Sequence, residues 1–267
     1  MTCWLTECMA PLIAKLGFGG FPVGSSLVRK GWEGEPCVYI RDESHDNINF
    51  NTSHVQLFID CLDDPALKRE YTADDVRPPK GYTPKLLTDL NYHHVTYAAA
   101  TYYCRNAETE ELLAASDKDK SKFCSFMFKN REWGGGILRY EFFKALTKLK
   151  EVDDVKGDAR YSVRLFDEAV ELHAPYRFAI AFENSVVGGY VTEKIVNAYL
   201  AGCIPIYRGH CDIYKYFNRD SFINADDFGS LDELAEYVVR VDETPSLYEK
   251  YKQAAPSTKE KLAKFFV

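Results

Sequence analysis

Two polar clusters in the second half of the chain hold side chains of the types that chemistry needs. Glu183-Asn184-Ser185 breaks off an apolar, strand-like run from Tyr176 to Phe182, and Tyr190-Val191-Thr192-Glu193-Lys194 follows after a glycine-bearing turn. Carboxylates and amides accept hydrogen bonds from hydroxyls, while a cation or a helix N-terminus stabilises charge gathering on a departing phosphate. Lys194 is one such cation. Arg139, behind the loop from Asn130 to Gly136, is another, with paired donors that match phosphate oxygens. By residue type alone both read first as surface charges. Glu183, Asn184 and Ser185 serve equally to satisfy loop backbone or to meet a ligand.

The elements around these clusters form a pattern. Ile195, Ala198, Tyr199 and Gly202 recur at the spacing of one helix face, with Thr192 as its N-cap and Glu193 in the first turn. Cys203 to Tyr207 reads as the next buried strand, and Gly209 as the turn after it. Strand, polar loop, helix and strand make half of a doubly wound unit, whose ligands lie outside the carboxyl ends of the strands. A nucleotide-type donor is the physical expectation. Upstream, Phe123 to Phe128 is a strand and Arg139 to Leu149 a helix carrying Phe142, Phe143, Leu146 and Leu149 on its face. That loop should open on the same crevice. Nearer the start, Cys37 to Ile40 and Val55 to Ile59 read as strands, and the Gly17-Phe18-Gly19-Gly20 string as a turn. The adjacent His93 and His94 point to opposite sides of a strand or helix and make no metal pair. Glu108 to Lys122 reads as helical and then charged, and its run from Ala114 to Lys122 marks a linker, giving domains 1–115 and 116–267. Leu231 to Val241 and Leu247 to Ala255 close the second as helices.

Composition sets the outer bounds. The 267 residues, 46% hydrophobic, suffice for sizeable cores. Lys+Arg of 33 against Asp+Glu of 40 gives net −7, which argues against gripping nucleic acid through general basic charge. No apolar run reaches the ~18 residues of a membrane span, and the first 24 residues lack a signal-like pattern. The eight cysteines are scattered without a CxxC, so no zinc site is expected; buried free thiols are the first reading and disulfides the alternative.

Several uncommon strings stand in one order at tight spacing: Phe182-Glu183-Asn184-Ser185, Tyr190 to Lys194, Ala201 to Gly209, Ser221-Phe222-Ile223 and Asp226-Asp227-Phe228. Together they resemble the donor-binding signature of the α-1,3-fucosyltransferases, glycosyltransferase family 10, over roughly residues 120 to 250. One position departs: Gly189 stands where that family often has an acid. The resemblance implies an α/β, GT-B-like fold of two facing Rossmann-like domains with a shortened N-terminal domain. It implies an inverting transferase moving fucose from GDP-fucose to a hydroxyl of an acceptor glycan. Use of another nucleotide sugar, or an inactive glycan-binding relative, are the alternatives. By the same resemblance Arg139 and Lys194 contact the diphosphate, and Tyr190 and Glu193 the sugar or ribose. Asn130, Glu183, Asn184, Ser185, Val191 and Thr192 complete the donor site. Glu43, after the strand ending at Ile40, matches the family's glutamate near the acceptor and is the candidate base, with Asp42 and Asp46 as rivals. No DxD-type motif falls in the donor crevice, so no cofactor is expected beyond stimulation by divalent cations. With no anchor of the Golgi type, the expected location is cytoplasmic, as in bacterial or viral members, or the Golgi lumen if an anchor was removed.

Overall fold

The computed structural model describes residues 120–128, 131–132, 134–155, 165–186 and 188–263, four strands nearer the start, and residues 10, 13–14, 17 and 19–20 there. Glu43, Asn130 and the stretch 108–119 lie outside the described residues. The chain divides into two units: Met1–Asn106 with Val187–Tyr190 and Phe266–Val267, and Ala107–Val186 with Val191–Phe265.

The first unit contains β1 (Val23–Ser25), β2 (Cys37–Arg41), β3 (Val55–Asp60) and β4 (Asn91–His94), paired in that order and all parallel. Val38 and Ile40, two apart on one face of β2, are fully buried, the signature of a strand with a covered face. His93 and His94 are the last two residues of β4.

The second unit is built on β5 (Lys122–Phe126), α1 (Gly135–Leu149), β6 (Val152–Asp154), α2 (Leu165–His173), β7 (Tyr176–Phe182), α3 (Glu193–Leu200), β8 (Ile204–Arg208), the single turn α4 (Ile213–Tyr216), β9 (Ile223–Asn224), α5 (Leu231–Glu243), α6 (Pro245–Gln253) and α7 (Lys259–Ala263). Its five strands are parallel in the order β6-β5-β7-β8-β9. Both faces are covered. Phe178, Ile180 and Phe182 pack with Phe142 and Leu146 of α1 and with Leu234 and Val238 of α5. Ala179 packs on the other side with Ala198 and Ala201, where small side chains let α3 come close to the sheet. Each fully buried Phe or Ile contributes about 1.5–3 kcal/mol relative to exposure.

Parallel order of this kind has a switch point where the chain first builds one way and then the other, here between β5 and β7. The loops leaving those two strands diverge around a crevice at the carboxyl edge. Two expectations about α1 need correction. It starts at Gly135, four residues before Arg139, which places Arg139 in its second turn. Leu149 is 52% exposed at the helix end, leaving Phe142, Leu146 and the partly covered Phe143 as the packing face.

Candidate active site

The last residue of β7 and the trio after it are the hub of the crevice. Phe142 stacks on Phe182 with ring centroids 5.2 Å apart, which docks α1 on the end of β7. Arg139 lies one turn earlier on α1 and is 1% exposed. Its Nε donates to the Phe182 carbonyl at 2.9 Å, and a terminal nitrogen donates to Asn184 Oδ1 at 2.6 Å. The Phe128 ring lies 4.1 Å beneath the guanidinium carbon. These two acceptors are neutral, and they orient the guanidinium.

Close approach of backbones makes this contact feasible. The Gly135 N–H donates to the Asn184 carbonyl at 2.8 Å. A Cβ on Gly135 would meet the Glu183 and Asn184 carbonyl oxygens at 2.5 and 2.6 Å, so only glycine fits between α1 and the trio.

Glu183 is 2% exposed and turns back on the start of α3. Thr192 donates its N–H to Oε1 at 2.8 Å and its hydroxyl to Oε2 at 2.6 Å. Lys194 Nζ donates to the Thr192 hydroxyl at 2.9 Å and lies 3.4 Å from Glu183 Oε2 and 3.2 Å from Glu193 Oε1. Burial pushes the Glu183 carboxyl above its ordinary range, while Lys194 and the two Thr192 donors pull it back. Thr192 thus occupies the N-cap position of α3, but its side chain makes no capping bond. Its hydroxyl points the other way, to Glu183, and the helix presents its first-turn amides beside a lysine. Backbone amides at a helix start are donors for an anion.

Ser185 is half-buried, Tyr190 is buried, and Val191 is fully buried and apolar, so only its backbone is polar. Gly189 has φ of 72°, a left-handed turn where the acid expected there would be strained. Asp226 and Asp227 each meet an arginine, Arg208 at 3.2 Å and Arg219 at 2.9 Å. Cys124 and Cys203 are buried thiols, whereas Cys211 is exposed, against the expectation of burial.

Three contributors were not singled out from the sequence. Gly135 had a visible signal in the triple glycine 134–136. Phe128 and the Phe182 carbonyl had none, because their role depends on where a distant helix docks.

Similarity to other proteins bears on this geometry. Residues 117–263 match the family model described as glycosyltransferase family 10 (fucosyltransferase) C-term. The chain is similar to the alpha-(1,3)-fucosyltransferase FucT of Helicobacter pylori, with 36% identity over 126 residues, covering 46% of this chain and 25% of that protein. It is similar to 4-galactosyl-N-acetylglucosaminide 3-alpha-L-fucosyltransferase 9 of Mus musculus, 32% over 134 residues, covering 49% of this chain and 36% of that one. The matches therefore span about a quarter to a third of those relatives' length. Among solved structures, an α1,3-fucosyltransferase crystallised with GDP-fucose shares the fold at a TM-score of 0.51 and 21% identity, over 87% of this chain and 75% of that one. The fold is α/β and of the GT-B-like kind. Since more than half of its residues match that family model, the chain belongs to glycosyltransferase family 10, the fucosyltransferases.

Proposed function

We propose that the protein transfers fucose from GDP-fucose to a hydroxyl of an acceptor glycan, forming an α-1,3 or α-1,4 linkage with inversion at the sugar carbon. The observation that carries this reading is the convergence of Arg139, Lys194 and the N-terminus of α3 at the switch point of a parallel sheet. Two cations and a helix start suit the diphosphate of a nucleotide sugar, whose bridging oxygen gains charge as the sugar leaves.

In this reading the diphosphate lies against the first turn of α3. Arg139 directs its guanidinium at one phosphate, while Lys194 exchanges Glu193 for oxygens of the other. Glu193, so released, accepts from hydroxyls of the ribose or sugar, with Tyr190 and Ser185 beside it. Asn184 and Glu183 hold the two cations in place. Asn130 and the backbone of Val191 border the donor. Glu43 takes the proton of the acceptor hydroxyl as that oxygen attacks the sugar carbon from the face opposite GDP. No metal ion is required for this displacement, because the two side-chain cations balance the leaving group.

The test is incubation of the purified chain with GDP-fucose and a glycan array, read by mass spectrometry, with GDP-mannose and UDP sugars in parallel. Fucosylated product from GDP-fucose alone supports the reading; turnover of another donor, or none, rejects it. Lys194→Ala and Arg139→Lys should each weaken GDP binding by about 1.5–3 kcal/mol, the range for hydrogen bonds to charged groups. Unchanged calorimetric affinity in both removes the proposed cation site. Glu43→Gln should abolish transfer and leave GDP affinity intact.

A further inference from the structure

Asn197 lies in the second turn of α3 and is 3% exposed. Its backbone carbonyl accepts the Ala201 N–H at 2.9 Å, as a helix requires. The side chain is the anomaly: Oδ1 is buried and has no hydrogen-bond partner. Buried polar atoms are nearly always paired, and an unpaired one works against the folded state. Asparagine is also a weak helix former, so propensity does not account for its place. An apolar side chain would fill the same space without an unpaired atom, which points to a partner that moves in.

Lys194 is the group placed to be that partner. Residues three apart share a helix face, and helical side chains lean toward the amino end, which sets Asn197 one turn beneath Lys194. The ammonium, itself buried, has three N–H groups. It donates to the Thr192 hydroxyl at 2.9 Å and to Glu193 Oε1 at 3.2 Å, with Glu183 Oε2 a looser 3.4 Å away. Glu193 is the acceptor that a bound phosphate displaces in the donor reading above.

We propose that Asn197 Oδ1 receives the Lys194 ammonium when a diphosphate occupies the start of α3. The exchange puts a neutral carbonyl where a carboxylate was. Glu193 offsets part of the ammonium's charge, whereas an amide oxygen holds a proton of it and leaves that charge to the phosphate. With Thr192 and Asn197 each accepting one N–H, the tetrahedral nitrogen aims the third. Asn197 is thus a positioning residue that acts through Lys194. The inference rests on the donor reading, and its test separates the two.

That test is calorimetry of GDP binding to Asn197→Leu, a near-isostere without the acceptor. Affinity should fall about tenfold, the scale of one hydrogen bond to a charged group. Urea unfolding of the nucleotide-free variant should show a midpoint equal to or above the parent's, because no partner is lost; a lowered midpoint makes the amide structural and overturns the inference. In a Lys194→Ala background, Asn197→Leu should change GDP affinity no further. A parent that binds no GDP ends the donor reading itself. A parent that binds it while Asn197→Leu binds equally, or loses the same factor without Lys194, overturns this inference alone. A crystal of the parent soaked with GDP needs no substitution: Lys194 Nζ within hydrogen-bond distance of Asn197 Oδ1 supports the exchange, and Nζ still on Glu193 rejects it.

Discussion

At Glu183 a single carboxylate joins the strand end to the helix start. Both of its oxygens accept from Thr192, and Lys194 approaches one of them. A glutamine has one acceptor oxygen and one amide nitrogen, so one of the two Thr192 donors would face another donor. Glu183→Gln should therefore lower stability by about 1–3 kcal/mol, the cost of an unsatisfied buried polar group. Urea unfolding measures it, and a midpoint equal to the parent's rejects the account. The pairing was only half legible in the sequence. Thr192 at a helix start is readable from type and position, but its partner lies nine residues back across a turn. Local rules send a threonine hydroxyl into its own helix, and a buried carboxylate here outcompetes the amides for it.

Element boundaries followed the strength of the local signal. The run of β7 is visible from Tyr176 to Phe182 and is apolar without a break from Phe178 on, as expected of a strand covered on both faces. The start of α1 was misplaced by four residues because glycines ordinarily break helices, and 134–136 are all glycine. There the tertiary contact with the Asn184 carbonyl outweighs propensity. The consequence is testable with Gly135→Ala, which improves intrinsic propensity yet places a methyl into two carbonyl oxygens. It should destabilise the protein by roughly 1–3 kcal/mol, the usual range for overpacking, and GDP affinity should fall with it. A stabilised variant contradicts the close contact. β6, β9 and α2 gave no usable pattern: the two strands have three and two residues, too few to show a period.

The molecule as a whole carries net charge −7, yet one interior group sets part of its response to acid. His173 at the end of α2 is buried, with Nδ1 2.8 Å from Ser125 Oγ on β5. Burial, helped by the nearby Lys120, pushes its pKa down from 6.5 to about 4. A depressed histidine means that the unfolded chain binds the proton first. Its contribution is complete above pH 6.5 and is lost as pH falls through about 4, amounting to roughly 3 kcal/mol from the size of the shift. Glu183, raised instead, acts in the opposite sense, with stability lost as pH rises through its folded value. Subtracting the stability curve of His173→Asn, which keeps a hydrogen-bonding group at that place, from the parent's isolates the histidine. The difference should grow between pH 4 and 6.5; a flat difference shows that the imidazole is not buried neutral.

Arg139 carries one more implication. A free arginine side chain gives up about 2 kcal/mol of rotamer entropy when it is immobilised. Clamped to the Phe182 carbonyl and laid flat on Phe128, this one has surrendered most of that freedom during folding, before any guest arrives. Under the proposed donor reading, recognition at this corner is therefore preorganised. It rewards an anion whose oxygens match a fixed plane and direction, and it gives little to one that merely brings charge.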